Sequence, residues 1–128
     1  MSSSEPVDPQ RIRALCGEDD TFAIELIGML VKEADPIEAK LIESVRYYAV
    51  REANELAHAL KSMASSIGAV DLQDAATRLE AASGRTRTPT SSVLEAEVGA
   101  ISHALECVRT VQRVWWARAG AHTRIFAA

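Results

Sequence analysis

The stretch Asn54–Glu80, NELAHALKSMASSIGAVDLQDAATRLE, decides how this chain folds. Leu56, Leu60, Met63 and Ile67 recur at four, three and four residues, which places them on one stripe of an α-helix aimed at a core. Gly68 stands where a helix closes through a left-handed residue. Asp71 is placed to cap a second helix carrying Leu72, Ala76 and Leu79 inward, with Gly84 as its stop. A helix advances about 100° per residue. Asn54, Glu55, His58, Lys61, Ser62 and Ser65 therefore gather on the first helix's other face, which is polar and small-sided.

An imidazole on a rigid helix, with an ammonium one turn on and two low serines beside it, suits the carriage of a phosphoryl group. Neutral imidazole is a nucleophile near pH 7, because its ordinary pKa is about 6.5. The phosphohistidine would be nearly doubly charged, and Lys61 is placed to offset part of that charge. His58, Leu60, Lys61, Gly68, Ala69, Leu72, Leu79 and Glu80 together resemble the motif of histidine phosphotransfer (HPt) domains, which runs H-x-L-K-G, then G-A, then spaced leucines ending in L-E. Ser62 departs from that pattern, since the family usually has glycine there.

The resemblance implies that His58 is the phosphorylated nucleophile and Lys61 its electrostatic support. Asn54, Glu55, Ser62 and Ser65 would meet the partner, while Arg78 and Glu80 on the next helix are weaker supporting candidates whose side the sequence leaves open. It also implies partners: the phospho-aspartate of response-regulator receiver domains, and upstream a hybrid sensor histidine kinase. Mg²⁺ would belong to the receiver, with no cofactor on this chain. The alternative is a helical protein-interaction module with an incidental surface histidine. Acid-labile, base-stable phosphate on the protein would separate the two.

The chain has 128 residues, which predicts one domain with its own core. We expect a disordered lead-in over 1–7, a helical bundle over 8–118 and a C-terminal tail over 119–128. Apolar residues make up 48% and charged residues 25%, an ordinary soluble composition. The net charge of −4 and the scattered basic residues argue against nucleic acid or an anionic membrane as partner. Cys16 and Cys107 lack any metal-ligand spacing and read as separate thiols in a reducing compartment, although a disulfide is not excluded by sequence. No signal peptide is visible, and no apolar run approaches the roughly 20 residues that span a bilayer. A cytoplasmic, monomeric protein is expected, and the initial Met suggests a free-standing one. H-E-x-x-H, glycine-rich phosphate loops, Ser-His-Asp signatures and ATP-binding motifs are all missing, so the reading is a phosphoryl carrier and not an enzyme.

The rest of the chain completes an all-α fold, an antiparallel up-and-down four-helix bundle with a short additional N-terminal helix. Asp8 and Pro9 read as cap and first residue of that short helix, with Ile12 and Leu15 inward and Gly17 as stop. The bundle helices are expected over 20–48, 51–67, 71–83 and 92–117. Asp19 or Asp20 can cap the first, in which Phe22, Leu26, Met29 and Leu30 form one edge of a broad apolar face and Ile27 and Val31 the other. Pro36 either kinks that helix or ends and restarts it, after which Ile37, Leu41, Val45 and Tyr48 resume the period. Tyr47 to Glu52 holds no Gly, Pro or Asn to force a turn. RTRTPTS, from Arg85 to Ser91, reads as a solvated connection. Ser92 and Glu95 form a capping box ahead of Leu94, Val98, Ile101, Leu105, Val108, Val111 and Trp115. His103 and His122 match no motif. Trp116, Ile125 and Phe126 are read as a hydrophobic patch or as a tail packed on the bundle.

Overall fold

The computed structural model describes the backbone of residues 6–17 and 20–127, and the side chains of 6–17 and 21–118. Five helices follow in order: α1 (Pro9–Cys16), α2 (Asp20–Arg46), α3 (Val50–Ile67), α4 (Val70–Ala82) and α5 (Ser91–Ala127). Helix α2 packs on α3 and α5, and α4 packs on the same two, so the four long helices close a ring with short connections between neighbours. Ile27 and Leu41 of α2, Leu60 of α3, Leu72 and Leu79 of α4, and Leu94, Ile101, Leu105 and Val108 of α5 fill the centre and are fully buried. The expected fold is the one observed.

The buried line of α3 is Ala53, Ala57, Leu60, Ala64 and Ile67, while Leu56 and Met63 flank it half-buried. Ala75 and Ala76 of α4 are buried as well. Small residues on both helices let their backbones approach closely, and α3 with α4 forms the most extensive helix pair of the bundle.

Several local details differ from the sequence reading. Leu15 is 45% exposed, because the inward pair of α1 is Ile12 and Cys16, four residues apart. Phe22 and Met29 are 47% and 58% exposed: the apolar face of α2 is wider than its neighbours cover, and Ala23, Ile27, Leu30, Ala34 and Leu41 form the covered line. Val7, assigned to the lead-in, is buried with Ile12 in the core. The two flank the Asp8 cap at the positions of a hydrophobic staple. Residues 1–5 lie outside the described residues. Pro36 sits inside a continuous α2. Tyr48 is no helical core position, since it lies in the turn after α2 with φ of +52°. Helix α4 begins one residue before Asp71, which sits in its first turn and is not the cap. Helix α5 begins at Ser91, and the cap is Thr90, whose Oγ1 accepts from the Val93 amide at 3.1 Å, so Ser92 and Glu95 form no capping box. Helix α5 also continues to Ala127 through the segment expected to be a tail. Side chains of that segment, including His122, Ile125 and Phe126, lie outside the described residues.

Helix α1 closes the end of the bundle where α3 turns into α4. The Gly68 carbonyl accepts from the Asp8 amide at 2.9 Å, and Arg11 Nε donates to the Ser66 carbonyl at 3.3 Å. This contact leaves the polar face of α3 uncovered.

Candidate functional site

Helices α3 and α4 are antiparallel across the Gly68–Ala69 turn. His58 lies ten residues before Gly68 and Glu80 twelve after it, so at about 1.5 Å per residue the two come nearly level. Glu80 Oε2 stands 2.7 Å from His58 Nδ1, and Glu80 Oε1 accepts from Lys61 Nζ at 2.5 Å. The Glu80 backbone carbonyl accepts from Asn54 Nδ2 at 2.8 Å, and the same amide group reaches Ser83 Oγ at 3.3 Å. Asn54, His58 and Lys61, at intervals of four and three on α3, thus all meet one residue of α4.

Charge settles which atom of the imidazole is free. The Lys61 ammonium, with His58 second, holds the Glu80 carboxyl below its usual value against a smaller opposing effect of burial. A carboxylate only accepts, so His58 Nδ1 must carry the proton in this contact. In the neutral ring the lone pair is then on Nε2. The His58 side chain is 63% exposed, against 24% for Glu80. The arrangement therefore presents a nucleophilic nitrogen to solvent while its other nitrogen is anchored to α4.

Among the residues singled out from sequence, Glu55, Ser62 and Ser65 are exposed on the His58 face. The Ser62 hydroxyl has no partner among the described residues, so it does not fold back on the His58 carbonyl. Asn54 is half-buried and turned to α4, a bracket between helices and not a free docking group. Arg78 is not brought to the site: its Nε pairs with Glu97 of α5 at 3.6 Å. Glu80, ranked behind Lys61 in the sequence reading, is the centre of the cluster. The hairpin arithmetic across Gly68 was the signal that could have promoted it. Ser83, which completes the Asn54 bracket, carried no signal. Among the described residues no group of three or more His, Cys, Asp or Glu side chains could hold a metal ion.

No curated protein matches the chain. The family described as Hpt domain matches residues 25–111, which is more than half of the chain, from α2 through most of α5 and across every residue of the cluster around Glu80. A ring of four helices, an exposed histidine braced from the neighbouring helix and this match agree, and the chain belongs to the Hpt domain family.

Proposed function

We propose that this domain carries a phosphoryl group on His58 Nε2 and exchanges it with the phospho-aspartate of response-regulator receiver domains in a cytoplasmic phosphorelay. The observation that carries the reading is the Nδ1 contact with ionised Glu80, which leaves Nε2 as the exposed lone pair. In the transfer, that lone pair attacks the phosphorus of the acyl phosphate. An N–P bond forms, the P–O bond to the aspartyl group breaks, and the aspartate leaves with the electron pair as a carboxylate. The imidazole becomes cationic as it does so, and its Nδ1 proton stays hydrogen-bonded to Glu80, which stabilises the charge where it develops.

Lys61, bonded to Glu80 one turn beyond His58, would offset part of the phosphoryl charge. Mg²⁺ and the acidic pocket are expected on the receiver, and a hybrid sensor histidine kinase upstream of it; this chain supplies nucleophile, orientation and docking face.

The test is label transfer from receiver domains phosphorylated with acetyl phosphate. Wild-type protein should acquire acid-labile, base-stable phosphate, and His58→Gln should acquire none while its melting temperature stays nearly unchanged, as expected for an exposed side chain. Label on the glutamine variant would place the chemistry elsewhere.

A further inference from the structure

Beside His58, toward the start of α3, the surface forms an open cleft. Arg51, Asn54 and Glu55 of α3 line one side of it, and Ser83, Arg85 and Arg87 of the α4–α5 connection the other. Arg51 precedes His58 by seven residues, which places it on the same helix face about 10 Å along the axis. Asn54 belongs to both regions, since its amide bonds Glu80 and Ser83.

Three exposed guanidiniums converge here, in a chain whose net charge is −4. None of the three has a carboxylate partner among the described residues, so all three charges face the cleft uncompensated by an ion pair. Glu55 is the single acidic side chain in the lining. The loop that presents two of the arginines is also held in place. The Arg87 amide donates to the Gly84 carbonyl at 2.9 Å, and the Tyr48 hydroxyl donates to the Pro89 carbonyl at 2.5 Å. The sequence reading took RTRTPTS for a solvated connection, and the fold makes it one wall of a cationic cleft next to the histidine.

We propose that this cleft is a second docking point for the receiver that covers His58, and that it selects receivers carrying carboxylates about 10 Å from their phospho-aspartate. The inference rests on the proposed phosphotransfer role. Guanidinium groups match carboxylates in a bidentate fork. Exposed charges of this kind speed encounter and fix orientation more than they add final affinity, and they weaken in salt. A small anion is a poorer occupant, because the three arginines are solvent-exposed and the half-buried Asn54 amide is already bonded within the protein.

The experiment compares wild type, the triple variant Arg51→Glu/Arg85→Glu/Arg87→Glu and the milder Arg85→Gln/Arg87→Gln. Each receives phosphoryl groups from a panel of acetyl phosphate-charged receiver domains at low and high salt. Each is also labelled with phosphoramidate, a small donor that needs no docking. At sub-saturating receiver and low salt the triple variant should be slower by about tenfold or more, the double variant less so. Both should converge on wild type at high salt, with phosphoramidate labelling and far-ultraviolet circular dichroism unchanged. Equal transfer by all three proteins from every receiver overturns the inference. So does a matching loss with phosphoramidate, which would mean the substitutions act on His58 and not on docking. Binding of inorganic phosphate or ATP that disappears in the triple variant while receiver transfer persists overturns it too. Wild-type protein that takes label from phosphoramidate but from no receiver overturns the phosphotransfer reading, and this inference falls with it.

Discussion

Glu80 accepts from two cationic or proton-bearing groups at once, and each of its oxygens has a separate task. Glu80→Gln removes the charge and allows the amide to donate, so either imidazole tautomer becomes acceptable and Nε2 is no longer the assured lone pair. A hydrogen bond to a charged group contributes about 1.5–3 kcal/mol. Phosphoramidate labelling of His58 should therefore slow by roughly 10- to 100-fold while far-ultraviolet circular dichroism shows the helices retained. The same residue sets a pH dependence. Its folded pKa lies below the ordinary 4.5, so on acidification the unfolded chain takes up the proton first. The stabilising contribution is complete above that value and drains away as pH falls through the lowered one. Acid melts of Glu80→Gln should lack this component below about pH 4.5. Lys61 is the milder case: Lys61→Ala should shorten phosphohistidine lifetime or slow transfer by about tenfold, as suits a partly exposed charge.

Turns carry the argument at the scale of elements. After α3, the Gly68 amide bonds Ser65 and the Ala69 amide bonds Ala64, and Gly68 has φ of +70°. The turn after α2 repeats the pattern, with the Tyr48 amide on Val45 and the Ala49 amide on Ser44. A β-carbon on Gly68 would stand 2.9 Å from the β-carbons of both Asp8 and Arg11. Gly68→Ala should thus cost more than the about 1–2 kcal/mol of left-handed strain alone. Urea denaturation should show that loss, together with early exposure of Cys16 to a thiol reagent as α1 lifts away. Gly68 was legible in the sequence because glycine is the usual residue at such a position. Tyr48 was not, since tyrosine is rare at positive φ and its hydroxyl partner, the Pro89 carbonyl, lies 41 residues away. The Thr90 cap was misread for a related reason: Ser92 and Glu95 match the pattern of a cap, and backbone geometry chose the earlier hydroxyl.

For the whole molecule, periodicity revealed which helices exist, and short connections revealed their ring order. Pairings between distant helices were out of reach. Arg109 of α5 bonds Asp35 at 2.6 Å and Glu38 at 2.7 Å, bracketing Pro36 on α2, and these two carboxylates hold its guanidinium charged more firmly than usual. No local pattern marks Arg109 among its basic neighbours. Arg109→Ala would leave Glu38, which is only 17% exposed, without this partner. A loss of about 2 kcal/mol in thermal or urea melts is expected, shrinking somewhat at high salt. The buried alanines of α3 were equally hard to see, because alanine suits exposed and buried helix positions alike.

Asn54, His58 and Lys61 share one anchor, Glu80, and that sharing has a kinetic meaning. Sliding α3 past α4 by a single turn, about 5.4 Å, would break all three attachments together. The attachments are then lost as a set, and the two helices should open jointly. Native-state hydrogen exchange would register this as one shared protection free energy for the amides flanking these residues, in place of a gradient fraying inward from the turn. The imidazole is thereby held in one orientation before any partner arrives.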